Sequence, residues 1–81
     1  PFNPITTLRY DLPEQAFVTL TIYDMLGREI AQLVKTTQEA GFKLVQWDGS
    51  DIMGRSVGAG VYLYQIRAGE FVQTRKMVLL K

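Results

Sequence analysis

The chain contains no cysteine and no histidine among its 81 residues. Without cysteine, it has neither disulfides nor thiolate zinc sites, which are the usual covalent and metal supports of small extracellular domains. Nucleophilic triads depend on histidine or cysteine in their common forms, so those forms of catalysis are excluded as well. We therefore expect a fold held together by apolar packing, with no catalytic residues, no metal and no cofactor, in a protein that is not an enzyme.

Neither sign of charge dominates, and no long apolar run occurs. Nine basic and eight acidic residues leave a net charge of +1, which is not the basic footprint of a nucleic-acid-binding protein. No apolar run approaches the roughly 18 residues that a membrane-spanning helix needs, and no basic start precedes an apolar signal core. The sequence thus predicts no nucleic-acid partner and no membrane-spanning segment.

The length permits a single domain with a thin core. The opening Pro1-Phe2-Asn3-Pro4 has two prolines in four residues, which is typical of an extended linker. We therefore interpret residues 1–5 as the end of a linker and residues 6–81 as one domain, the C-terminal piece of a longer protein.

Alternation of apolar and polar residues predicts an all-β fold. Residues such as Leu8, Tyr10 and Leu12 repeat with period two, and Val18, Leu20 and Ile22 do the same. The segment 29–37 fits either a helix or a bulged strand, and the preceding turn favours the strand. Apolar residues on both faces of the segment 42–47 predict a central strand. With a short extended piece at 56–57 and a closing hairpin, this makes about seven strands of an antiparallel β-sandwich without internal repeats.

The closing hairpin turns at Gly69-Glu70, a dipeptide that suits a type II′ turn. Its second strand carries the basic pair Arg75-Lys76, which with Arg67 is read as a solvated rim that discourages edge-to-edge pairing. We expect this strand to continue to the last residue, so that the C-terminus itself has a structural place.

The loop from Asp48 to Arg55 is the segment whose side chains most resemble a calcium site or a catalytic pair of carboxylates. Asp48 and Asp51 lack the spacing of a calcium loop and a cleft for paired-carboxylate catalysis, so turn formation is favoured over both. Among the aromatic residues, Phe17, Tyr23 or Phe71 could form an exposed sugar-binding stripe, although core filling explains most of the rings.

Several blocks of sequence carry a family resemblance over essentially the whole chain. They are Pro1-Phe2-Asn3-Pro4, Thr6-Thr7-Leu8-Arg9-Tyr10, Leu12-Pro13, Ile22-Tyr23-Asp24-Met25-Leu26-Gly27-Arg28-Glu29, Gly41 to Trp47-Asp48-Gly49, Gly60-Val61-Tyr62, Gln73-Thr74-Arg75-Lys76-Met77 and Lys81. The chain resembles the type A C-terminal sorting domain of cargo proteins of the type IX secretion system in Bacteroidetes and related phyla. That Ig-like module is also similar to the Ig-like domain of the flagellar hook-capping protein.

The resemblance implies a folded sorting signal. Such a domain is exported to the periplasm with an N-terminally attached cargo protein, recognised by an outer-membrane translocon and a shuttle protein, and carried to the cell surface or the medium. The final strand would dock either through its edge or through its terminal carboxylate and lysine. By analogy, the candidate recognition residues are Gly60, Tyr62, Lys76, Met77, Val78, Leu79, Leu80 and Lys81.

Two alternatives remain open at this stage. An accessory module that binds carbohydrate or a cell surface predicts two or more coplanar exposed aromatic rings. A structural or self-assembling Ig-like spacer predicts an exposed edge strand and weak self-association through it.

Overall fold

The structure is a computed structural model that describes residues 6–80, so the linker predicted at residues 1–5 and the terminal Lys81 lie outside the described residues. No helix capable of crossing a membrane occurs within residues 6–80. The chain forms the strands β1 (Thr6–Leu12), β2 (Ala16–Asp24), β3 (Glu29–Gln38), β4 (Gly41–Trp47), β5 (Gly60–Ala68) and β6 (Phe71–Leu79).

The strands form two antiparallel sheets. The smaller sheet pairs β1 with β4, and the larger one has the order β3-β2-β5-β6. Side chains from both sheets meet in one apolar core, in which the alternating residues Val18, Leu20 and Ile22 are completely buried. The predicted all-β antiparallel sandwich is confirmed.

The strand count is lower than expected. Residues 56–57 do not form a strand; Ser56 belongs to an isolated antiparallel bridge with Ser50. Within residues 6–80 the sandwich therefore has six strands rather than about seven.

The prediction of a central position for β4 is wrong. β4 pairs only with β1, and its outward side chains Phe42 and Leu44 are 80% and 66% exposed. Trp47 and Val45 do face the core, as the alternation predicts. The apolar residues on the second face of β4 are thus uncovered surface within the described part of the chain.

The ambiguous segment before Gln38 is a strand, β3, and its irregular pattern has a structural cause. The pairing with β2 skips Leu33 between Val34 and Gln32, and skips Ile30 between Ala31 and Glu29. Each skipped residue is a β-bulge, which shifts the inward-facing positions by one residue. Because of the two bulges, the apolar residues of β3 do not repeat every second position, and their spacing resembles that of a helix.

The hairpin of β5 and β6 is regular throughout. Its register runs without a shift from Gly60 opposite Leu79 to Ala68 opposite Phe71. Gly69 has a φ of +61°, whereas Glu70 does not take a positive φ. This combination fits the predicted type II′ turn, in which only the first central residue has a positive φ.

The end of β6 contributes directly to stability. Leu79 is 1% exposed and Leu80 is 73% exposed. We expect Leu79→Ala to lower the free energy of unfolding by about 2 to 5 kcal/mol, because it leaves a cavity in the core. The matched control Leu80→Ala should change it by less than about 0.5 kcal/mol. Urea denaturation measures both, and equal effects would contradict this placement of β6.

Candidate recognition surface

The hairpin register brings most of the predicted recognition residues together. Gly60 lies opposite Leu79, and Tyr62 lies opposite Met77. The start of β5 and the end of β6 therefore form one structural unit at one end of the larger sheet. Lys81 lies outside the described residues, so its position relative to this unit stays a prediction.

Tyr62 has an internal role in this unit. Its hydroxyl donates a hydrogen bond of 2.6 Å to the carbonyl oxygen of Gly58. Its ring meets the ring of Trp47 edge to face, with 5.3 Å between centroids and 73° between planes. Since only 8% of Tyr62 is exposed, this residue shapes the loop before β5 and offers little surface to a partner.

β6 ends at Leu79, so the expectation that it continues to the last residue is wrong for Leu80, and the residues from Lys76 to Leu80 divide into two groups by alternation. Met77 and Leu79 are buried in the core, whereas Lys76, Val78 and Leu80 are exposed. A strand places successive side chains on opposite faces, so the buried pair fixes the positions of the exposed residues between and beside them. Of the candidate residues on β6, only the exposed group is accessible to a partner.

Two loops of the same construction lie near each other. In the first, the Oδ1 atom of Asp24 accepts hydrogen bonds of 2.9 Å from the backbone amides of Leu26 and Arg28. In the second, the Oδ1 atom of Asp51 accepts equally long bonds from the amides of Met53 and Arg55.

Each loop is also closed by an ion pair between its aspartate and its arginine. The distance from Nε to Oδ2 is 2.7 Å for Arg28 and Asp24, and 3.2 Å for Arg55 and Asp51. The pattern Asp-x-x-Gly-Arg, which occurs twice, is the sequence signal that indicates this pair of loops. The expectation that the chain has no internal repeat therefore misses a short local one.

A direct hydrogen bond places the Asp51 loop beside β3, the strand that follows the Asp24 loop. The backbone amide of Ile52 donates to the carbonyl oxygen of Ile30 at 2.9 Å. The tips of both loops expose large apolar side chains: Met25, Leu26, Ile52 and Met53.

The loop aspartates have lowered pKa values. The backbone amide of Arg28 contributes most to lowering the pKa of Asp24, and the amide of Arg55 does the same for Asp51. For Asp48, the hydroxyl of Ser50 contributes most to lowering the pKa. These carboxylates accept hydrogen bonds from their own loops, which is the turn-forming role that the sequence favours.

No group of three or more potential metal-ligating side chains was found within residues 6–80. A cleft of about 500 Å³ runs between β3 and the loop after β4, and its lining includes the buried Trp47 together with Asp48 and Asp51. Both carboxylates accept hydrogen bonds from backbone amides of their own loop, the amide of Ser50 for Asp48 and that of Met53 for Asp51.

Phe17 and Phe71, two of the exposed phenylalanines, do not form a flat platform. Phe17 and Phe71 both line a cleft at one end of the sandwich, together with Glu14 and Glu70. Phe17 alternates with the buried Val18 and faces outward, whereas Phe71 lies opposite the inward-facing Ala68. The two rings thus belong to opposite faces of the larger sheet, which is not the coplanar arrangement that the carbohydrate-binding alternative predicts.

Two antiparallel sheets packed face to face define an Ig-like β-sandwich domain. The model of the family described as "FlgD Ig-like domain" matches residues 4–71, and the chain belongs to this family. The match ends at Phe71, where β6 begins.

A solved structure has the same fold. The chain is similar to FlgD from P. aeruginosa, with a TM-score of 0.76 and 22% sequence identity. The similarity covers 94% of this chain and 61% of that one, so the chain spans about three fifths of that FlgD chain. No curated protein sequence matches the chain significantly. These findings confirm the Ig-like part of the resemblance.

The lowered pKa values of the loop aspartates predict a pH-dependent contribution to stability. A carboxylate whose pKa is lower in the folded state stabilises the protein above its unfolded pKa of about 3.9, and this contribution is lost as the pH falls through the folded pKa. We expect the double variant Asp24→Asn, Asp51→Asn to be less stable than the wild type at pH 7. The difference in urea midpoint should narrow as the pH falls below about 4.

The matched control is the double variant Glu14→Gln, Glu39→Gln, which removes two exposed carboxylates outside the paired loops. It should lower the urea midpoint at pH 7 less than the aspartate variant does. A stability difference that stays constant from pH 7 to the acid range would contradict the role assigned to Asp24 and Asp51.

Proposed function

We propose that this domain is a non-catalytic sorting signal that directs an attached cargo protein across the outer membrane through the type IX secretion system. The proposed partners are the outer-membrane translocon, a shuttle protein and an N-terminally attached cargo domain. On this proposal, the domain is exported, passes through the periplasm, and reaches the cell surface or the medium.

The row of exposed side chains at the end of β6 and directly after it is the observation that carries the proposal. Lys76, Val78 and Leu80 are exposed, while Met77 and Leu79 anchor the strand in the core. A signal that is read in the folded state needs side chains held in fixed positions. β6 supplies such a row, and it coincides with candidate residues from the sorting-domain resemblance.

Family membership supports a second candidate function. As a member of the FlgD Ig-like domain family, the chain could be a structural module that assembles with other proteins or with itself in a flagellar setting. This candidate predicts association that depends on protein concentration. It does not require any effect of β6 on export.

Truncation is a poor test of the sorting signal. Deleting residues 77–81 removes Met77 and Leu79, which are both buried. Loss of export would then follow from unfolding as readily as from loss of a recognition surface. Substitutions of exposed residues separate the two causes.

The test is an exported fluorescent reporter fused to the N-terminus of this domain in a bacterium with a working type IX system. We expect the wild-type fusion to cross the outer membrane. The triple variant Lys76→Ser, Val78→Ser, Leu80→Ser should fold but remain in the periplasm. The matched control Lys35→Ser, Phe42→Ser, Leu44→Ser removes one lysine and two exposed apolar residues elsewhere, and should be exported.

Cell fractionation with surface proteolysis measures the outcome, and thermal melting checks that each variant is folded. Two results would contradict the proposal. One is retention of the wild-type fusion in a strain that sorts its own cargo. The other is normal export of the β6 variant.

A further inference from the structure

The two edges of the larger sheet differ in how well they are protected. At the β3 edge, the pairing with β2 is interrupted by bulges at Leu33 and Ile30. The carbonyl oxygen of Ile30 is also occupied by the amide of Ile52 in the neighbouring loop. Bulges and covering loops are two ways in which proteins prevent a further strand from pairing with an edge.

The opposite edge, formed by β6, has neither device within the part of the chain that the structure describes. Its nine residues pair with β5 without any shift in register, and no strand in the described part of the chain pairs with its other side. The edge is therefore long, regular and open. An edge of this kind is a template for another extended segment.

The turn geometry shows which backbone groups face the open side. Because the loop has two residues, Ala68 and Phe71 form the hydrogen-bonded pair that closes the hairpin. Hydrogen-bonded and non-hydrogen-bonded pairs then alternate along the ladder. The residues whose N–H and C=O groups point away from β5 are Val72, Thr74, Lys76 and Val78.

The charge on this edge selects among possible occupants. Arg75 and Lys76 are exposed at the middle of β6, Arg67 is exposed on β5, and residues 71–80 include no acidic side chain. A second copy that paired antiparallel in full register would place its Arg75 against Arg75 of the first. Like charges directly opposite each other are destabilising, so the edge disfavours its own copy and suits an acidic segment.

We propose that the open edge of β6 binds an extended acidic segment of a partner protein, which joins the larger sheet as a fifth strand. Two adjacent acidic residues of that segment lie across from Arg75 and Lys76, one on each face of the sheet. β-branched residues of the segment pack near Val72 and Val78, which lie on the same outer face as Lys76. The inference deepens the proposed function and rests on it, because the sorting function and the acidic-strand site both require a partner that binds at β6.

The probe is a labelled peptide, acetylated and amidated, of sequence Thr-Val-Thr-Glu-Glu-Thr-Val-Thr. The control peptide has Lys-Lys in place of Glu-Glu. Fluorescence anisotropy at low salt should show binding of the acidic peptide at least about tenfold tighter than binding of the control, with a difference that shrinks as salt is added. Amide shifts in NMR spectra should concentrate on Val72, Thr74, Lys76 and Val78.

Two protein variants test the backbone and the charge separately. Thr74→Pro removes one N–H from the open edge but none from the ladder with β5, and proline is tolerated at such positions. It should weaken binding of the acidic peptide by about tenfold. The double variant Arg75→Glu, Lys76→Glu should reverse the preference in favour of the lysine peptide, and it keeps the test available if Thr74→Pro does not fold.

Equal affinity for the two peptides, absence of binding, or shifts confined to another surface would overturn the inference. Dimerisation of the protein through β6 would also overturn it, because a second copy would then be the occupant.

The export assay distinguishes this inference from the proposed function. If the triple variant of Lys76, Val78 and Leu80 blocks export but neither peptide binds, the acidic-strand inference fails and the sorting function stands. If the acidic peptide binds at β6 and the triple variant is exported normally, the sorting function fails and the binding site stands.

Discussion

The contact between Trp47 and Tyr62 is the interaction on which the rest of the structure depends. Trp47 ends a strand of the smaller sheet and Tyr62 belongs to the larger one, so their edge-to-face contact at 5.3 Å joins the two layers. The polar atoms of the two rings hold the intervening loop, through the carbonyl oxygens of Ser50 and Gly58. In a chain without disulfides, this pair connects the sheets, the longest loop and the start of β5.

The same junction reaches the end of β6. Gly49 follows the tryptophan by two residues, and a Cβ atom there would lie 3.1 Å from a methyl carbon of Leu79. Gly49 also has a φ of +77°, a backbone conformation that residues other than glycine rarely adopt. Packing around Trp47 thus determines how closely the end of β6 approaches the core, and hence where the exposed side chains of that strand lie.

Alternation of residues predicts which side of a strand is inward, but not which surfaces are covered. It correctly places Leu8, Val18 and Trp47 in the core. It misleads at Phe42 and Leu44, because the pattern cannot show that β4 belongs to a two-stranded sheet whose outer face nothing in residues 6–80 covers. It is ambiguous for β3, since each bulge changes the inward face within a few residues. The Gly69 turn is predictable because a positive φ in a two-residue loop nearly requires glycine.

Resemblance alone gives the candidate recognition residues equal weight, and burial separates them by role. Tyr62, Met77 and Leu79 are packed in the core and Gly60 has a φ of +148°, so the identities of these four residues are explained by the fold. The side chains of Lys76, Val78 and Leu80 are exposed, so core packing does not explain their identities. On the proposed function, a partner contacts the second group, whereas the first group holds in place the segment that carries it. Under that proposal, recognition and stability depend on neighbouring residues of one segment, and substitutions at its outward positions separate the two.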